Sequence, residues 1–156
     1  MRDRRRLRIL LVEDDPEDQW VTKRAFRALE TPGEITVVEN GIQALDFLHR
    51  KAAFAEPADR PNPDLILLDL NLPMMDGQTV LREIKNDPAL CRIPIVILTT
   101  SSYQKDVADC YGFGANSFIT KPVNLNSLTE TVKDICHYWL ELVHLPDNTF
   151  NRNGPS

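Results

Sequence analysis

The sequence predicts an α/β fold: a doubly wound, five-stranded parallel sheet in the order 2-1-3-4-5, with helices on both faces. Three observations predict it. Short apolar runs alternate with longer stretches of helical period. The runs are nearly continuous in apolar character, as strands buried on both faces require. Proline, glycine and Asn-Gly breaks separate the two patterns. Five strands each followed by a helix imply parallel pairing with right-handed crossovers, and the doubly wound sheet is the common solution.

Arg8-Ile9-Leu10-Leu11-Val12 is the first strand. Asp15-Pro16 then starts a helix, with proline where a missing N–H does no harm. Val21, Ala25, Ala28 and Leu29 place an apolar stripe on it. Pro32-Gly33 is a turn into Ile35-Thr36-Val37-Val38, the second strand. Asn40-Gly41 breaks that strand, and Ala44, Leu45 and Leu48 line the next helix. Residues 51–63, rich in Ala and Pro, read as a loop of roughly ten residues, long for an α/β unit. Leu65-Ile66-Leu67-Leu68 is the most apolar run and is read as the central strand. Val80, Leu81 and Ile84 lie on a third helix that stops before Pro88. Ile95-Val96-Ile97-Leu98 is the fourth strand, residues 104–111 a fourth helix, and Ser117-Phe118-Ile119 a short fifth strand. The last helix starts near Asn124, with Leu125, Leu128, Val132, Ile135, Trp139 and Leu142 repeating at helical spacing.

Length and composition narrow the function classes. A chain of 156 residues, 42% apolar and 26% charged, suits one soluble domain with a full core. The expected organisation is a basic leader at 1–7, one domain over 8–145 ending in an extended helix, and a loose polar tail at 146–156. The net charge of -5 argues against a nucleic-acid partner, and Arg2, Arg4, Arg5 and Arg6 are read as a solvated leader. No apolar stretch approaches the ~18 residues of a membrane helix, and no signal peptide is visible. The expectation is a cytoplasmic protein with no membrane partner. Cys91, Cys110 and Cys136 then stand as reduced thiols, since they form neither a CxxC pair nor a zinc set.

Ligands of open α/β sheets bind outside the carboxyl ends of the strands. The first strand is followed there by Glu13, Asp14 and Asp15, the third by Asp69, the fourth by Thr99 and Thr100, and the fifth by Thr120 and Lys121. In the order 2-1-3-4-5 the first and third strands are neighbours, so their carboxylates crowd one crevice. Several adjacent carboxylates do not all stay ionised without a cation. A hard divalent ion, Mg²⁺ or Mn²⁺, answers that need with oxygen ligands. Lys121, on the far side of the crevice, suits a phosphoryl oxygen, and Thr99 offers a hydroxyl. A carboxylate in such a setting is a nucleophile toward phosphorus, and Asp69 is the one placed for it.

Four segments carry a family resemblance, covering roughly residues 8–142: Ile9-Leu10-Leu11-Val12-Glu13-Asp14-Asp15-Pro16; residues 64–77, which include Leu68-Asp69-Leu70-Asn71-Leu72-Pro73-Met74-Met75-Asp76-Gly77; Pro94-Ile95-Val96-Ile97-Leu98-Thr99; and Gly114-Ala115-Asn116-Ser117-Phe118-Ile119-Thr120-Lys121-Pro122. In this order and spacing the chain resembles a response-regulator receiver domain of two-component signalling, whose fold is flavodoxin-like. The resemblance implies Asp69 as phospho-acceptor and Asp14, Asp69 and the backbone carbonyl of Asn71 as ligands of Mg²⁺ or Mn²⁺. It implies Glu13 as an assisting ligand through water, Thr99 and Phe118 as the switch pair, Lys121 on the phosphoryl group, and a cis Lys121–Pro122 bond. Glu13 departs from the pattern, where many members carry Asp.

The 51–63 loop and the lengthened last helix also resemble stand-alone receivers that pair with bacterial phytochrome histidine kinases. The implied partners are a sensor histidine kinase of that kind and a downstream protein. Tyr138, Val143 and Leu145 fall off the stripe of the last helix and are expected on the surface, where a second copy of the chain would bury them through the face of the fourth helix, fifth strand and last helix. No enzyme activity is implied beyond self-phosphorylation and autodephosphorylation, and no output domain is expected to follow.

Three rival readings fit less well. A flavin module would need a donor-rich phosphate loop where Glu13-Asp14-Asp15 stands. An aspartyl phosphatase would need an acid two residues after its nucleophile, where Asn71 stands. A degenerate receiver would lack the acceptor, the metal ligand or the lysine, and all three residue types are present.

Overall fold

The computed structural model describes residues 7–29 and 33–146. The expected leader up to residue 6, the Pro32 half of the first turn and the tail from 147 lie outside the described residues. Five parallel strands run in the order β2-β1-β3-β4-β5: β1 (Leu7–Val12), β2 (Gly33–Val38), β3 (Leu65–Leu68), β4 (Ile95–Thr99) and β5 (Ser117–Thr120). Between and after them lie α1 (Pro16–Arg27), α2 (Gly41–His49), α3 (Gly77–Lys85), α4 (Gln104–Gly112) and α5 (Leu125–Cys136). The predicted topology holds, and β3 is the central strand. β1 begins at Leu7, which pairs with Gly33.

Alternation along the strands builds two cores. Leu10, Val12, Ile66, Leu68, Ile95 and Ile97 face α2, α3 and α4. Ile9, Leu11, Leu65, Leu67, Val96 and Leu98 face α1 and α5. Burying each such side chain contributes about 1.5–3 kcal/mol. Side-chain caps open four of the helices: Asp15 accepts from Glu17 N, Asn40 from Gln43 N, Asp76 from Thr79 N and Asn124 from Asn126 N.

Two apolar stripes differ from expectation. On α1 the buried residues are Val21, Thr22, Ala25 and Phe26, while Ala28 is exposed. The helix ends at Arg27, so Ala28 is its C-cap and no longer follows the helical period. The last helix does continue past α5, but as a π-helical turn over His137–Leu142. A π turn takes more residues per turn than an α-helix and rotates all that follows. Leu140 is therefore fully buried, while Leu142, expected inside, is 63% exposed. Leu145, expected on the outer surface, packs partly against the α1–α5 core.

The 51–63 segment is tied down by two arginines. Arg50 donates to the Arg60 carbonyl at 2.5 Å and to Asn62 Oδ1 at 3.1 Å. Arg60 donates to the Phe47 carbonyl at 2.7 Å and lies 4.1 Å over the Phe47 ring. A 3₁₀ turn, Ala52–Phe54, sets Phe54 edge-on to Phe47. No helix among the described residues is long and apolar enough to cross a membrane.

Cys110 and Cys136 are buried and Cys91 is half-buried, all as free thiols. Burial, with Asp106 and Asp109 nearby, pushes the Cys110 thiol up to about 11. Burial, with Glu141 nearby, pushes Cys136 up to about 12. A raised pKa contributes stability that is complete below the ordinary value of 9.0 and lost as pH rises through the folded value. At pH 8, a disulfide reagent should titrate Cys91 rapidly and the other two thiols only after unfolding. Three equally reactive thiols in the folded protein would contradict this packing.

Candidate functional site

β1 and β3 pair in register, Val12 opposite Leu68, so the residues that leave their ends meet. The Asp69 N–H donates to the Val12 carbonyl, and the Glu13 N–H to that of Val38. Glu13, Asp14 and Asp69 each bring a carboxylate oxygen within 4.8 Å of the others. Glu13 and Asp69 are buried, and Asp14 is exposed at the rim. Asp15, third of the acidic run, turns away and caps α1. This is the acidic crevice expected from the strand order.

Gly77 is required by close approach. A Cβ there would lie 2.2 Å from the Asp69 carbonyl oxygen and 2.6 Å from Leu70 Cα. Both are backbone atoms beside the Asp69 carboxylate. Gly77→Ala should therefore cost about 1–3 kcal/mol and weaken divalent-cation affinity, as read by urea unfolding and cation titration. Wild-type values for both would show that the backbone yields at no cost.

Lys121 follows β5, where its N–H donates to the Thr99 carbonyl at 2.6 Å. The side chain does more than stand on the far side of the crevice. Its Nζ donates to Asp18 Oδ2 at 2.8 Å, to Asp69 Oδ2 at 3.0 Å and to Glu13 Oε1. The reason is electrostatic: adjacent buried carboxylates need a counter-charge, and this ammonium supplies it. The only cis peptide bond among the described residues is Glu56–Pro57, so the implied cis Lys121–Pro122 bond is not found.

Asp18 is a site residue that the sequence reading missed. It sits in the first turn of α1, where an acid ordinarily complements the helix dipole. Its place there is accounted for without Lys121, so nothing separate in the sequence marks the contact.

The crevice shifts its own ionisations. Burial, then the Asp69 charge, pushes the Glu13 carboxyl up to about 7, against the lowering effect of Lys121 and the Asp15 N–H. For Lys121, burial alone would lower the pKa. Its hydrogen bonds to Asp18 and Glu13 and the charges of Asp69 and Glu13 outweigh burial and hold it above the ordinary lysine range.

Asp69 Oδ1 accepts from the Asn71 N–H at 3.1 Å, which orients the carboxylate. Thr99, at the end of β4, is fully buried. Its Oγ1 is a buried hydroxyl with no hydrogen-bond partner, a feature that calls for an explanation. Phe118 lies half-buried against the α2–α4 core, and its N–H donates to the Tyr111 hydroxyl at 3.2 Å.

Relatives share this arrangement of chain. A family model described as the response regulator receiver domain matches residues 9–133. The chain belongs to that family and is a response regulator of two-component signalling, which makes a histidine kinase its partner class. Response regulator Rcp1 of Synechocystis sp. is 41% identical over 138 residues, 88% of this chain and 92% of Rcp1. The crystal structure of the phosphorylated cyanobacterial phytochrome response regulator RcpA matches with a TM-score of 0.87 at 40% identity, over 92% of this chain and 100% of RcpA. The Mn²⁺-bound form of Rcp1 matches with a TM-score of 0.85 at 40% identity, over 90% and 99% of the two chains. The bacteriophytochrome response regulator RtBRR gives 0.71 at 35% identity, over 96% and 90%.

Proposed function

We propose that Asp69 accepts a phosphoryl group from a sensor histidine kinase of the bacteriophytochrome type, and that the signal passes on by contact with a downstream protein. The observation that carries this reading is the Asp69 carboxylate at the end of the central strand, 3.0 Å from Lys121 Nζ and beside two further acids. The kinase type is supported by the likeness to Rcp1, RcpA and RtBRR.

The oxygen set of the crevice fits a hard divalent ion. Asp14, Asp69 and the Asn71 carbonyl would hold Mg²⁺ or Mn²⁺, with Glu13 assisting through water; Rcp1 has been crystallised with Mn²⁺. When bound, the ion neutralises charge on phosphoryl oxygens.

The chain's own groups do the rest. An Asp69 carboxylate oxygen forms the new bond to phosphorus. The bond from phosphorus to the donor's imidazole nitrogen breaks, and its electron pair leaves with the imidazole. Lys121 donates to a phosphoryl oxygen, and the Thr99 hydroxyl gains the acceptor it lacks. Phe118 then follows Thr99, carrying the change to the β5 face. Hydrolysis of its own acyl phosphate resets the protein, which has no other substrate to turn over. The setting is the cytoplasm, where such a kinase presents its phosphohistidine.

Borohydride reduction of the phosphorylated protein, followed by peptide mass spectrometry, tests the acceptor. Reduction of an acyl phosphate leaves homoserine, expected at position 69 and nowhere else. Homoserine at another position would overturn the assignment.

The second copy of the chain would sit on the α4–β5–α5 face. A groove of about 310 Å³ there is walled by Ile119, Ile135, Tyr138 and Trp139. Tyr138 is 53% exposed, and Leu142, on the same π turn, is exposed too. An isologous pair would cover both. Because Leu140 is buried, truncating the helix would damage the core. Substituting Tyr138 and Leu142 with Asp, with light scattering across a dilution series, tests the dimer cleanly. A wild-type chain that stays monomeric at high concentration, phosphorylated or not, would rule it out.

A further inference from the structure

We propose that Asp106 is a positioning residue that latches the β4–α4 loop in its resting place and so sets how readily the protein responds to phosphorylation. The proposal rests on the reading of Asp69 as the acceptor. It concerns residues 100–103, the short link between Thr99 and α4.

Asp106 lies in the first turn of α4. Its Oδ2 accepts from Ser101 Oγ at 2.5 Å, the short distance of a charge-assisted bond. Its Oδ1 accepts from Gln78 Nε2 at 3.3 Å. One carboxylate thus ties the loop before α4 to α3, a neighbouring helix. Two longer bonds act on the same loop: Asn71 Nδ2 donates to Thr100 Oγ1 at 3.3 Å, and Thr120 Oγ1 donates to the Ser101 carbonyl at 3.2 Å. Ser101 Oγ also accepts from the Tyr103 N–H at 3.4 Å. Among the described residues, this loop is held from β3's exit, from β5 and from α4, and Asp106 is itself braced from α3.

Thr99 immediately precedes this web, and its Oγ1 has no partner. The Thr100 and Ser101 hydroxyls are paired while that of Thr99 is not. A phosphoryl oxygen on Asp69 is an acceptor for that hydroxyl. Drawing Thr99 toward it draws Thr100 and Ser101 too, because they follow it directly in the chain. The short Ser101–Asp106 bond lengthens as they move. The two bonds therefore compete, one favouring the resting loop and the other the loop drawn toward Asp69. A bond made in only one of two states shifts the population between them.

A purely structural role for Asp106 is distinguishable. An acid in the first turn also steadies α4 through the helix dipole, and Tyr103 at the N-cap contributes no side-chain bond. If that were all, Ser101→Ala would change nothing, because Asp106 and its charge remain. The latch predicts a change from either end.

The test uses the full chain with saturating Mg²⁺ and beryllofluoride, a tetrahedral stand-in for a phosphoryl group on a carboxylate, measured by calorimetry. Ser101→Ala and Asp106→Ala should each bind beryllofluoride roughly five- to tenfold more tightly than wild type. The double variant should gain no more than either single one, since both remove the same bond. Ser101→Thr, which keeps the hydroxyl, should bind like wild type. Mg²⁺ affinity measured alone should be the same in all four. Unchanged or weaker beryllofluoride binding by folded Ser101→Ala would overturn the latch while leaving the acceptor reading standing. A wild-type protein that binds no beryllofluoride would overturn both.

Discussion

Asp69→Asn is expected to abolish phosphorylation without unfolding the protein. Wild-type chain incubated with acetyl phosphate and Mg²⁺ should gain one phosphoryl group by intact mass, and none when a chelator is added. The variant should gain none under either condition. An amide has the shape of the carboxylate and lacks its nucleophilic charge. The rest of the crevice keeps its counter-ion, because Lys121 still reaches Asp18 and Glu13. Removing one of several crowded negative charges relieves repulsion on Glu13, whose carboxyl the Asp69 charge helps to raise. Stability to urea should therefore equal or exceed that of wild type, which separates lost chemistry from lost folding. Equal labelling of the two proteins, or wild-type labelling that survives the chelator, would sink the assignment.

Lys121→Ala is expected to have the second largest effect, and a conditional one. The ammonium is buried and donates to three carboxylates, those of Glu13, Asp18 and Asp69. Removing one partner of a buried ionic cluster typically costs about 3–5 kcal/mol, because the opposite charges stay behind uncompensated. The loss should appear in urea unfolding with chelator present. Millimolar Mg²⁺ should restore much of it, since an ion that binds only the folded chain stabilises it by mass action. Divalent affinity itself should rise, because a competing positive charge is gone. From the sequence alone, Lys121 faces only the phosphoryl group; its ion pairs make it a competitor for the same carboxylates. Unfolding curves that coincide with wild type in chelator would show that the three ion pairs contribute nothing.

Much of the fold was legible because the strand signal is strong. Leu65-Ile66-Leu67-Leu68 reads as a central strand from its apolar character alone, and it is one. The acidic crevice was legible too, since chain order and pairing rules place Glu13, Asp14 and Asp69 at one end of the sheet. What escaped had a local disguise. Asp18 stands where helices ordinarily carry an acid, so its reach to Lys121 left no separate mark. The exchange of Leu142 for Leu140 came from the π turn, which breaks the period on which any helical stripe is extrapolated. The Ser101–Asp106–Gln78 contacts join a loop to two helices through ordinary polar residues, a pattern that no spacing rule encodes.

The reciprocal grip of Arg50 and Arg60 makes the intervening hairpin of chain a natural splice point. The two guanidinium groups close its base, so strand β3 enters the sheet at the same place whatever the tip contains. Residues 55–59 are exposed, and lengthening an already closed loop costs only about 0.6 kcal/mol per doubling. A peptide tag or reporter grafted between Ala58 and Asp59 would ride at the end of the domain where β3 begins, with the acidic crevice at the end where it finishes. The protein is thus organised as a host with a spare port: its acidic crevice and this exposed stretch of backbone occupy opposite poles.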